Sequence, residues 1–61
     1  MRFEIGDRVR VAKSMAPGYI GIEGVILSVR RDEDAIFTVY TLLTNEGLRV
    51  EFLEYQLELV T

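Results

Sequence analysis

The 61 residues contain no cysteine and no histidine. Without cysteine there is no disulfide to staple the chain and no thiolate metal site. A chain of this length buries only about 60% of the surface its unfolded form exposes, so it must hold by core packing, helped by a partner or by self-association. Without histidine, the commonest general base and the commonest metal ligand are both gone. Ser14 and Ser28 have no histidine to activate them, and Lys13, the single lysine, sits at the edge of a loop, where a lysine is solvated. No apolar run reaches the roughly 18 residues of a membrane-spanning helix. The opening stretch MRFEIGDRVRV carries charges where a signal peptide needs an apolar segment. These absences lead us to expect one cytoplasmic domain over residues 1–61, not an enzyme, with no cofactor, no bound metal and no membrane contact.

Apolar residues make up 49% of the chain, a large share for so little interior, and the surplus marks a contact surface. The net charge is −3, which disfavours nucleic acid as a partner. The charge is unevenly spread. Residues 1–31 hold six basic and three acidic side chains, whereas residues 32–61 hold one basic and seven acidic ones. Either the two halves pair their charges across neighbouring strands, or Arg8, Arg10, Lys13, Arg30 and Arg31 form a stripe that binds phosphates.

Strand signals recur along the whole chain. In DRVRVAK, Val9 and Val11 alternate with Arg8 and Arg10, the period of a half-buried strand. SMAPG, residues 14–18, is a loop. VILSVRR follows Gly24 as a second strand, and RDED, residues 31–34, is a charged turn. AIFTVYTLL has the strongest β-propensity in the chain, TNEG is a tight turn, and LRVEF alternates again. LEYQ fits a single 3-10 turn before the short last strand LELV. Five short strands that must avoid exposed edges predict an all-β fold, a small closed or nearly closed barrel. Gly21 and Gly24, in GYIGIEGVI, mark a bend or close approach at the entry to the second strand. A phosphate-cradling glycine loop would need a following helix, and VILSV is a strand.

The segments GDRVRV, GIEGVILSV and LEYQLELV, with the turn glycine Gly47, resemble the SH3-like barrel superfamily over nearly the whole chain. The pattern is similar to the KOW and Tudor-like barrels of ribosomal and transcription proteins. It also resembles the β-subunit barrel of nitrile hydratase and the accessory barrels of photosystem I and ferredoxin–thioredoxin reductase. The resemblance implies a single five-stranded SH3-like barrel with one 3-10 turn before the last strand. It extends to the scaffold of the type II dihydrofolate reductases, whose site uses a Val-Gln-Ile-Tyr segment. Here the corresponding residues are Val50-Glu51-Phe52-Leu53, of which the valine alone matches, so the scaffold carries over and the activity does not.

The expected core is Val9, Val11, Ile26, Val29, Phe37, Val39, Val50, Phe52, Leu57 and Val60. The second strand has two readings: strict alternation buries Val25, Leu27 and Val29, whereas likeness to KOW-type strands buries Ile26 and Val29 around a bulge. On the third strand both faces are apolar, so one of them stays outside unless something covers it. Candidate protein contacts are Tyr19, Ile20, Ile22, Tyr40, Leu42 and Tyr55, near the face between the first loop and the 3-10 turn, a common ligand site in SH3-like folds. Two carboxylate groups stand out: Glu51, Glu54 and Glu58, and Asp32, Glu33 and Asp34. The second lacks the spacing of a calcium loop and reads as a solvated turn. The leading expectation is therefore a non-catalytic protein-binding or accessory module that docks on a protein or on itself. The alternative is a KOW- or Tudor-like nucleic-acid binder using the basic stripe.

Overall fold

A computed structural model describes residues 3–31 and 36–61. Within them the chain is all-β: β1 (Arg8–Val11), β2 (Glu23–Arg31), β3 (Thr38–Thr44), β4 (Arg49–Leu53) and β5 (Leu57–Leu59). The strands form one antiparallel sheet in the order β4-β3-β2-β1-β5. The sheet is open at β4 and β5, with no ladder between these two edge strands among the described residues. A 3-10 turn, Glu54–Gln56, connects these two edge strands where LEYQ predicted it. A second 3-10 turn, Pro17–Tyr19, overlaps the loop SMAPG, which carries more regular structure than its composition suggests. The charged residues Asp32, Glu33 and Asp34 lie outside the described residues, as does Arg2.

In β1 the alternation holds: Val9 and Val11 are fully buried, and Arg8 and Arg10 face outward. This short strand is the hinge of the sheet, since it pairs with β2 through Val9↔Gly24 and with β5 through Val9↔Leu59 and Val11↔Leu57. Gly24 lies between β1 and β3, opposite Thr44. A Cβ there would stand 2.5 Å from the Leu43 carbonyl oxygen, so only glycine lets β3 come this close. Gly21 has φ +95, a left-handed conformation that turns the chain into β2.

The β2 register shifts between Ile26 and Ser28, so Leu27 is the extra residue of a bulge. Ile26 is buried as the bulged reading requires, but Val29 emerges 42% exposed, and so neither reading of this strand holds in full. The larger correction concerns β3. Thr38, Tyr40, Leu42 and Thr44 face inward, and the expected core residue Phe37 is 50% exposed. A buried tyrosine needs a partner for its hydroxyl. Tyr40 has two: Phe3 N–H donates to it at 3.2 Å, and the hydroxyl donates to Glu54 Oε1 at 3.2 Å. Thr44 is satisfied at the hairpin, where its Oγ1 accepts from Glu46 N–H and Leu48 N–H. The core therefore takes Phe3, Tyr40 and Leu42 beside the expected Val9, Val11, Ile26, Phe52 and Leu57. Val39, Val50 and Val60 are half-buried.

Gly24→Ala should lower the unfolding free energy by about 1–3 kcal/mol, as overpacking does. Gly18→Ala, where a Cβ meets nothing within 4 Å, should stay within about 0.5 kcal/mol of the parent. Urea titration followed by circular dichroism reads both, and equal effects would refute the close-approach argument. Tyr40→Phe should cost about 1–2 kcal/mol in the same assay, because Phe3 N–H loses its acceptor and Glu54 a donor.

Candidate functional site

The chain between β1 and β2 is an arm closed at its base. Gly21 N–H donates to Val11 O at 2.8 Å, and Val11 N–H donates to Ile22 O at 2.8 Å. Inside the arm, Ala16 N–H donates to Ser14 Oγ at 3.1 Å, and Tyr19 N–H donates to Ala16 O at 3.0 Å across the 3-10 turn. Pro17 opens that turn with its backbone angle already set. The result places Tyr19 edge-on against Phe52 of β4, ring centroids 5.9 Å apart and planes at 71°.

On the other side, Ala12 N–H and Lys13 N–H both donate to Gln56 O, at 2.7 and 3.2 Å, which ties the second 3-10 turn to the start of the arm. Leu53 N–H donates to Gln56 Oε1 at 2.9 Å and fixes the entry to that turn. Between the arm and this turn runs a groove of about 560 Å³, lined by Met15, Tyr19, Val50, Phe52, Leu53 and Tyr55 among others. Phe52 is nearly buried and forms the floor, while Met15, Tyr19 and Tyr55 stand exposed along the rim. A second groove, of about 700 Å³, lies on the far side of the 3-10 turn against Phe3, Ile36, Phe37 and Leu59. Leu53 and Tyr55 line both, so this turn is the ridge between them.

The structure brings together some of the predicted contact residues and separates others. Tyr19 and Tyr55 share the first groove. Ile20 is exposed but does not line it, and Ile22 packs against the core. Tyr40 and Leu42 are at most 1% exposed and offer no contact surface, for the inward facing of β3 described above. Met15, an exposed apolar residue of the arm, is not among the expected contacts, and Ile36, in the AIFTVYTLL segment whose two faces are both apolar, precedes β3 and is also exposed.

Three of the five side chains of the expected basic stripe, Arg8, Arg10 and Arg30, meet acids from neighbouring strands. Arg10 meets Glu23 at 3.3 Å and Glu58 at 3.5 Å. Arg8 reaches Glu23 at 4.0 Å and donates to Asn45 Oδ1 at 3.0 Å. Arg30 meets Glu51 at 3.7 Å. Arg8 lies opposite Val25 on β2, about 16 Å along the strand from Arg30 at roughly 3.3 Å per residue. The acids of the first carboxylate group are drawn apart too: Glu51 to Arg30, Glu58 to Arg10, and Glu54 to the Tyr40 hydroxyl. Among the described residues, no group of three acids could hold a metal ion, and no helix is long and apolar enough to cross a membrane. No protein-family model, curated protein or solved structure matches the chain.

Rim and floor should separate in a stability assay. Tyr55→Ala, at a side chain 61% exposed, should change the unfolding free energy by less than about 0.5 kcal/mol. Phe52→Ala, which empties the floor, should cost about 3–5 kcal/mol. Thermal or urea unfolding of the two variants checks the division.

Proposed function

We propose that the chain is a small non-catalytic protein-binding module of SH3-like barrel type whose aromatic groove takes a segment of another protein. The groove carries this reading. It has a closed apolar floor at Phe52 and Val50, an aromatic rim at Tyr19 and Tyr55, and a volume of about 560 Å³. That lies within the roughly 300–1,000 Å³ of common ligand sites. Exposed tyrosine and methionine around a desolvated floor is the composition of an interface centre. The SH3-like assignment is supported by the strand order, by the single 3-10 turn between β4 and β5, and by the sequence segments that carry the resemblance. The nucleic-acid reading has less support, because Arg8, Arg10 and Arg30 already face acids and the net charge is −3.

The test is selection from a displayed random-peptide library, followed by amide NMR titration of the labelled domain with a selected peptide. The expected shifts centre on Met15, Tyr19, Val50 and Tyr55, and Tyr55→Ala should weaken binding about tenfold or more. A parallel titration with short single- and double-stranded oligonucleotides at low salt should leave the amides in place. Salt-reversible oligonucleotide shifts around Arg8, Arg10, Arg30 and Arg31, with no peptide selected, would overturn the proposal.

A further inference from the structure

The open edge of β4 has a polarity that fits one partner in one register. At the hairpin, Thr44 N–H donates to Leu48 O at 2.8 Å, and Gly47 N–H donates to Thr44 O at 2.9 Å. Thr44 thus turns both its N–H and its C=O toward the returning chain, and along an antiparallel ladder such bonded positions alternate with non-bonded ones. Val50 and Phe52, opposite Leu42 and Tyr40, therefore bond to β3. The peptide groups of Arg49, Glu51 and Leu53 turn away from it. Leu53 N–H is taken by Gln56 Oε1, which ends the usable edge. The N–H and C=O of Arg49 and Glu51 remain on an edge that no other strand covers among the described residues.

We infer that this edge pairs with the same edge of a second copy, antiparallel about a two-fold axis through Val50, with Arg49 of each copy opposite Glu51 of the other. The inference deepens the binding-module reading by naming one partner, and it rests on that reading. In this register the peptide N–H of each Arg49 donates to the Glu51 carbonyl of the second copy, and each Glu51 N–H donates back to Arg49. Two such pairs make four hydrogen bonds. Arg49 and Glu51 lie two apart on one face, so each guanidinium meets a carboxylate across the junction, shared there with Arg30 of the carboxylate's own chain. Edge charges ordinarily deter pairing by meeting their like. Here the neighbouring registers that keep the same hydrogen bonding do so: one sets Arg49 against Arg49, the other Glu51 against Glu51. The two-fold register alone pairs opposite signs. It also sets Val50 against Val50, and the 60% exposed Leu48 opposite Phe52 of the second copy, at the margin of the aromatic groove.

The interface is small, and the dimer is weak and concentration-dependent. Because the chain has no cysteine, Val50→Cys introduces a single thiol. In the inferred register the two thiols face each other in a non-hydrogen-bonded pair, the closer kind, with Cβ atoms about 4.5 Å apart, within reach of a disulfide. In a glutathione redox buffer, Val50→Cys should form a covalent dimer about tenfold faster than Ser28→Cys, an exposed control on β2. Sedimentation of the unoxidised chain supplies the second arm. Arg49→Glu and Glu51→Arg should each abolish the dimer alone, and mixing the two variants should restore it as a heterodimer. A parent chain that stays monomeric at millimolar concentration would overturn the inference. So would cross-linking no faster than the control, or charge variants that still dimerise alone. Failure here leaves the peptide titration untouched, so the two readings fall separately.

Discussion

The fold depends on where one hydroxyl group goes. Tyr40 is the largest fully buried side chain, and its ring could not stay inside if its oxygen had no partner. The oxygen lies between Phe3 N–H and the Glu54 carboxylate, which brings the start of the chain and the 3-10 turn to the same point. The Phe3 ring then packs edge-on against Tyr40, with centroids 5.5 Å apart. Facing Tyr40 inward sets the facing of all of β3, because a strand's side chains alternate strictly. Phe37 and Leu43 are sent outward as a consequence, and the apolar surplus appears at the surface.

Much of this was legible in the sequence, and the failures have a physical pattern. Where one face of a strand is plainly polar, as with Arg8 and Arg10 on β1, the period-2 reading named Val9 and Val11 correctly. On β3 both faces are apolar, so hydrophobicity could not choose between them. The choice lay with a hydrogen bond to Glu54, a residue 14 positions away, which no local pattern encodes. The bulge at Leu27 falls where one of the two readings of β2 has it, but alternation alone does not give it, since an inserted residue leaves no compositional mark. The glycines were readable because Gly24 stands inside a strand pattern, where its lack of a side chain has to serve a close approach.

The groove was legible in part. Tyr19 and Tyr55 stand out in the sequence as tyrosines near a loop and a turn, but their sharing one groove depends on the arm's closure at Val11 and on its 3-10 turn. The charge asymmetry was visible at once, and its resolution required the sheet order. Because β1 lies between β2 and β5, Arg10 has Glu23 on one side and Glu58 on the other. Such exposed pairs contribute little to stability, about 0–1 kcal/mol each. Their main effect is to remove excess positive potential from that face.

The arm between β1 and β2 leaves and rejoins the sheet at one place, held by two hydrogen bonds between Val11 and residues 21 and 22. Lengthening or shortening such a segment changes mainly the entropy of closing it, about 0.6 kcal/mol for each doubling. The strands beneath do not register the change. Residues 14–18, between the Lys13 bond to Gln56 and the Tyr19 ring on Phe52, can thus be exchanged while β1 and Gly24 stay as they are, and the scaffold can acquire a new rim for its groove without having to fold differently.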